Sequence, residues 1–310
     1  MKAALVSVIA VIAASVIIVA AVFALSSGDD DKDTITVTMS WEKSLVEDIA
    51  GDDYKVVSMT GSGFSPHDTY TLPSNVSDLY KSKIYFKIGT GVEWETAFLD
   101  SVSGSIPSGV KIVSIGDGIS YDPLPNMHHH DHEEGDHEDE EHEGAHDAHI
   151  WTSPDILRKT AKLIADELSA LNPGRASFYE KNLSDFSKRA DAVDSLMESV
   201  AEAAGPGHVH VMVWHPAWQY LLEQYAERFG ADFHMESAEE DGEVTPAEAA
   251  AMVKDEGCSS IYVSVTDEGY EGRRALEEAG ITVHVVNPTA DDMLKSAAEF
   301  LSFLRSDLEA

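Results

Sequence analysis

Histidines carry the chemistry of this sequence. It holds 14 of them in 310 residues, and three stand at the ends of expected elements, outside the acidic loop. His67 follows one such element in GFSPHDTY, His149 opens AHIWTSP, and His215 closes VHVMVWH. Ligand sites of open α/β sheets form beyond the carboxyl ends of strands. A neutral imidazole ligates borderline divalent metals, and three imidazoles with a carboxylate or water make a tetrahedral zinc site. A hydrogen-bonded core or surface histidine is the other reading of each position, and spacing this remote does not choose between the two. His208, His210, His234 and His284 read as structural or surface residues. The lone cysteine, Cys258, reads as a small buried hydrophobe, and it excludes both an intramolecular disulfide framework and a Cys-rich metal centre.

A second group of histidines lies in low-complexity sequence. Residues 128–147 hold seven His (His128, His129, His130, His132, His137, His142, His146) and ten Asp or Glu, with no Lys or Arg. Such a segment cannot bury apolar area, so it reads as a disordered loop. It is either a solvated spacer or a weak, multi-site metal collector, since carboxylates concentrate cations and imidazoles bind them. His142-Glu143-Gly144-Ala145-His146 fits HExxH formally, but that motif needs a stable helix to bring both histidines to one face. A glycine in acidic low-complexity sequence does not provide one.

Positioning remote ligands requires a framework, and the chain length is right for two domains. Hydrophobic residues make up 43% of the chain, enough for packed cores. Lys and Arg number 21 against 56 Asp and Glu, a net charge of −35, which repels phosphate backbones and excludes general nucleic-acid binding while suiting cationic ligands. Strand and helix patterns alternate from residue 34. Strands are expected at Ile35–Ser40, Tyr54–Gly61, Lys83–Gly89 and Val110–Gly116, with helices at Trp41–Gly51, after Ser74, and at Gly91–Val102. A second alternation has strands at Val209–His215, 259–265 and Ile281–Asn287. Its helices are PAWQYLLEQYAERFG, Thr245–Gly257 with Thr245 as N-cap, EGRRALEEAG, and a closing helix DDMLKSAAEFLSFLRSDLEA. Between them, a helix from Pro154 ends at Asn172-Pro173-Gly174. A helix of about thirty residues follows, with Phe178, Phe186, Val193, Leu196, Met197 and Val200 on one face. The expected fold is α/β: two lobes, each a mostly parallel sheet flanked by helices, joined by one long backbone helix. The segments are an N-terminal lobe at 34–127, the acidic loop at 128–147, a ligand-bearing segment and helix at 148–175, the linking helix at 176–205 and a C-terminal lobe at 206–310.

The N-terminus has another character. Ala3–Leu25 is 23 residues without a charge, between Lys2 and the acidic SSGDDDKD. At about 1.5 Å per residue it spans a hydrocarbon core of about 30 Å, and the flanking charges place Lys2 inside. Residues 1–27 thus read as a transmembrane anchor or a signal segment, with the rest of the chain on the extracytoplasmic face of the membrane.

The exported part resembles the zinc-type solute-binding proteins of metal ABC transporters (cluster A-I, family 9) nearly end to end. TVTMSWEKSLVEDIAGDDYKVVSM resembles that family's opening strand and helix, and GFSPHDTYTLPSNVSDL its proline–histidine loop. GTGVEW resembles its glycine turn, HIWTSPDILRKTAKLIADEL its most diagnostic stretch, and LNPGRASFYEKNLSDF the start of its backbone helix. HPAWQYLLEQYA resembles its histidine–proline segment and DGEVTPAEAAAMVKDEG its Glu-x-x-Pro helix start. The resemblance implies that His67, His149 and His215 are the metal ligands. Manganese members place a carboxylate at the third position, so an imidazole there implies zinc. The family's fourth ligand, an aspartate before proline, is Asn287 here, which leaves water, Asn287, Asp291 or Asp292 to complete the site. Thr69 also stands where the family has a tyrosine, with Tyr70 shifted by one. The implied function is capture of Zn²⁺ between the lobes, as a monomer, and delivery to an ABC-transporter permease, without chemistry on a substrate. The alternatives are a metal-dependent adhesin or metal-buffering surface protein, and an extracellular zinc hydrolase, for which no motif supplies a general base.

Overall fold

Among the described residues, short β-branched runs form eight strands in two sheets, both entirely parallel. The computed structural model describes residues 32–61, 76–102, 104–125, 146–239, 244–265 and 267–310. The apolar N-terminal segment, His67, Ser74 and the loop histidines from His128 to His142 lie outside them. Among the described residues, no helix is long and apolar enough to cross a membrane.

The N-terminal lobe contains β1 (Thr34–Val37), α1 (Ser40–Ala50), β2 (Lys55–Ser58), β3 (Ile84–Lys87), α2 (Glu93–Val102) and β4 (Lys111–Ser114). Its sheet order is β2-β1-β3-β4. Ile35 pairs with Val56 on one side and Ile84 on the other. Ile35, Thr36 and Val37 are all fully buried, as both-face coverage of a parallel sheet requires. Then come α3 (Pro154–Leu171) and α4 (Ala176–Ala204). The C-terminal lobe contains β5 (His208–Val213), β6 (Asp232–Ser237), α5 (Pro246–Asp255), β7 (Ser260–Val263), α6 (Arg273–Glu278), β8 (Thr282–Val285) and α7 (Met293–Leu308), with sheet order β6-β5-β7-β8. The two sheets therefore share one topology. In each, the chain leaves the first strand in opposite directions, which opens a crevice at the carboxyl ends between β1 and β3 and between β5 and β7.

The 29-residue α4 is the linking helix, about 44 Å long at 1.5 Å per residue. It buries Tyr179, Phe186, Ala190, Val193, Met197 and Val200, spaced three, four or seven apart. Of the expected apolar stripe, Phe178 and Leu196 lie at its half-buried edge, and Tyr179 and Ala190 take the inner positions. The stripe belongs to one continuous core that includes Ile35 and Val37 of the first sheet and Val211 and Val213 of the second. Each lobe adds an outer core, around Tyr85, Trp94 and Phe98 in one and around Met212, Trp214 and Val253 in the other. The lobes are thus fused through shared apolar packing as well as through one helix.

Several local expectations change. β6 is a strand that sequence patterning overlooks, because Asp232, His234 and Glu236 make it look polar. Its inner residues Phe233, Met235 and Ser237 are buried in strict alternation. The helix after His215 starts only at Gln219 and runs as a π-helix over Tyr220–Tyr225. The helix of EGRRALEEAG is α6 alone, and a separate single helical turn at Glu268–Glu271 precedes it. The acidic loop ends earlier than expected: His146 bridges Pro125, and Asp147 is buried with its N–H donating to the Leu124 carbonyl at 2.9 Å. Thr245 does cap α5, accepting from the Glu248 N–H while Glu248 accepts from Thr245.

Candidate metal centre

His149 sits in a buried strut between the lobes. From the N-terminal lobe, the Thr90 hydroxyl donates to the Ala148 carbonyl at 2.9 Å, and Trp41 stacks on Trp151 with centroids 5.7 Å apart. From the C-terminal lobe, the Tyr220 hydroxyl donates to the Asp147 carbonyl at 3.1 Å, and the Trp151 indole donates to the Pro288 carbonyl at 2.7 Å. The segment coils into a 3-10 turn at Ile150–Thr152, fastened by the Thr152 hydroxyl on the His149 carbonyl. Asp147 folds back on the histidine: one carboxylate oxygen accepts from the His149 backbone N–H at 2.9 Å and lies 2.7 Å from its Nδ1. Both residues are 4% exposed. The other Asp147 oxygen has no hydrogen-bond partner among the described residues. An orphaned carboxylate oxygen is costly to bury, and a nearby cation offsets that cost.

His215 comes from the C-terminal lobe, two residues beyond β5. The sheet extends through the preceding residue, whose N–H donates to the Tyr262 carbonyl at 2.8 Å. Glu239 straddles the pair: one oxygen accepts from the Trp214 indole at 2.6 Å, and the other lies 3.1 Å from His215 Nδ1. Both site histidines therefore hold a carboxylate at Nδ1. That fixes the proton there and makes Nε2 the nitrogen with the lone pair, the arrangement found for metal-ligating histidines. Their ring centroids are 5.3 Å apart and nearly perpendicular, at 80°. Two imidazoles on one tetrahedral zinc, with Zn–N near 2.0–2.1 Å, hold their centroids about 5 Å apart.

Asp267, in the turn after β7, adds a third carboxylate. It accepts from the Ser264 N–H at 2.6 Å. Burial pushes its carboxyl up to about 6; the Ser264 N–H and the His215 imidazole pull it down, and Glu239 adds to the rise. Behind it, Gly269 packs against the Trp214 ring so closely that a Cβ would come within 2.3 Å of it.

The structure brings together His149 and His215, and His67 lies outside the described residues. The residues proposed to complete the site are occupied differently. The Asn287 amide oxygen accepts from the Thr289 N–H and hydroxyl at 2.9 and 3.0 Å. Asp292 caps α7 through the Lys295 N–H and pairs with Arg189 at 2.7 Å, beside Asp48 of α1. Asp291 lines a groove with Trp41, Ser44 and Arg189. His146 is exposed at the loop's end. Sequence reading missed Asp147, Glu239 and Asp267. The i, i+2 spacing of Asp147 and His149 is a local signal for a side chain turning back on the backbone, whereas Glu239 and Asp267 reach the site only through the pairing of β5 with β6 and β7.

Comparison with known proteins places the chain in a family and matches its fold. The model of a family described as zinc-uptake complex component A, periplasmic, matches residues 35–310. The zinc-binding lipoprotein AdcA of Streptococcus pneumoniae serotype 4 is 25% identical over 286 residues, which cover 91% of this chain. The chain spans about half of that protein's length, 55%. A crystal structure of ZnuA superposes with a TM-score of 0.70 at 21% identity, covering 90% of this chain and 100% of that one. The periplasmic zinc-binding protein TroA of Treponema pallidum superposes with a TM-score of 0.69 at 15% identity, covering 89% and 99%.

Proposed function

The chain belongs to the family of periplasmic zinc-uptake component A proteins, and from that premise we propose that it captures Zn²⁺ in the gap between its lobes and hands it to an ABC-transporter permease. The observation that carries this reading is the approach of His149, on the strut between the lobes, to His215 of the C-terminal lobe, each ring with a carboxylate at Nδ1 and the two 5.3 Å apart. Zinc is the cargo, and nothing in the mechanism alters it. His149 and His215 supply imidazole nitrogens, and His67 is the third ligand. Water or the Asp267 carboxylate completes the tetrahedron, since the Asn287 amide oxygen and the Asp292 carboxylate are already engaged.

Capture and release follow from the donor set. Three neutral imidazoles prefer a borderline cation to Mg²⁺ or Ca²⁺, which select oxygen donors. Asp147 and Glu239 orient the rings and compensate the charge of the bound ion without occupying its coordination sphere. Loss of one ligand weakens the site steeply, which gives the permease a means of release. The apolar segment at Ala3–Leu25 tethers the domain to the extracytoplasmic face of the membrane, and the acidic histidine-rich loop raises the local concentration of the cation. A competition titration with a chromogenic zinc chelator tests the assignment. His67→Ala, His149→Ala and His215→Ala should each abolish high-affinity binding. Retention of wild-type affinity in all three would remove the basis of the proposal.

A further inference from the structure

A second cluster of ligating side chains lies at the other end of β5. The parallel register sets His210 opposite His234 and Met212 opposite Glu236, so the polar residues of β5 and β6 share one face of the sheet. The rings of His208, His210 and His234 lie within 5.0–5.7 Å of one another. Glu256, just beyond α5, completes the group. His210 Nδ1 is 2.9 Å from a Glu236 oxygen and 3.3 Å from a Glu256 oxygen, and one ligand atom from each of the three residues lies within 4.8 Å of the other two.

Two carboxylates meet one ring nitrogen of His210. A ring nitrogen bears at most one proton, and here two carboxylates converge on the same nitrogen. A divalent cation satisfies both at once. Ligands about 2.0–2.1 Å from a tetrahedral ion are separated from each other by about 3.3 Å, close to the two distances from His210 Nδ1, 2.9 and 3.3 Å. We propose that His210, Glu236 and Glu256, flanked by His208 and His234, form a second divalent-cation site that takes a borderline ion, with Zn²⁺ as the probe. It is half-exposed, so water completes its coordination and it binds more weakly than the inter-lobe centre. His210 lies five residues from His215, about 16 Å along an extended chain, so the two sites share no ligand.

Cys258, the sole cysteine of the chain, reports on this site. Its thiol donates to the His210 carbonyl at 3.4 Å and sits two residues after Glu256. In the full-length protein, Zn²⁺ at concentrations above saturation of the tighter site should slow alkylation of Cys258 by iodoacetamide several-fold, and Mg²⁺ should not. His149→Ala should keep that protection. Glu256→Gln and His210→Gln, both at partly exposed positions, should lose it while keeping the wild-type melting temperature and the tighter binding event. Equal zinc protection in the wild type and in these variants would overturn the proposal. So would zinc-edge anomalous diffraction from zinc-soaked crystals that shows no ion between His210, Glu236 and Glu256.

Discussion

Asp147 and Glu239 exert the finest control over the proposed centre, because each sets which nitrogen of its histidine meets the metal. Replacing a carboxylate that orients a metal-bound histidine typically costs 10–100-fold in affinity. Asp147→Asn and Glu239→Gln should each lower zinc affinity by about that factor, read by chelator competition, with the far-ultraviolet circular dichroism of the wild type. A buried carboxyl elsewhere affects stability instead. Glu42 is fully buried; burial holds its carboxyl well above the usual range and the nearby Glu95 adds to the rise, while the Met39 and Thr38 backbone lowers it. A group whose folded pKa is raised is easier to ionise in the unfolded chain, so its contribution is intact in acid and is lost as pH climbs from the unfolded value through the folded one. Glu42→Gln should therefore show a smaller loss of melting temperature than the wild type as pH rises above about 4.5. His149 and His215 could be picked out as candidates because each stands at an element boundary, and the family resemblance rather than the spacing set them apart from the other histidines. The carboxylate partners of these two could not be picked out: Glu239 sits in an acidic run and Asp267 in a short turn, and only tertiary pairing singles them out.

The elements explain how such positions are held. β6 and the Trp214 indole place Glu239, and Gly269 gives that indole room. Gly269→Ala forces the ring or the turn to shift. Overpacking of this kind costs about 1–3 kcal/mol, so the variant should melt earlier and bind zinc more weakly through displacement of Glu239. An unchanged affinity would show that Trp214 does not transmit to His215. The strut at 147–152 depends equally on Trp151, which is fully buried, stacks on Trp41 and donates to Pro288. Alternation of strands and helices was readable over most of the chain because most strands are β-branched and flanked by glycine, proline or a capping residue. β6 escaped because its outward face carries His234 and charged residues, although the alternation with Phe233 and Met235 was present. The π-helix after His215 escaped because no residue type specifies it.

At the scale of the molecule, one apolar core runs through both lobes, along α3, α4 and α7. A wide hinge would expose that core, so metal exchange must occur with little change in overall shape. Small-angle scattering should give radii of gyration for zinc-free and zinc-loaded protein that agree within about 1 Å. Zinc should nevertheless raise the melting temperature in proportion to the logarithm of its free concentration, because it binds the folded chain. Binding must also weaken on acidification, since protons compete with the metal for imidazole nitrogens.

Zinc-edge anomalous diffraction from crystals grown with one equivalent of metal tests the central claim most directly. The account predicts that the strongest peak lies between the lobes, about 2.0–2.1 Å from Nε2 of both His149 and His215. It also predicts that His67 enters the same coordination sphere. A strongest peak elsewhere, with these imidazoles bound to no common ion, would contradict it.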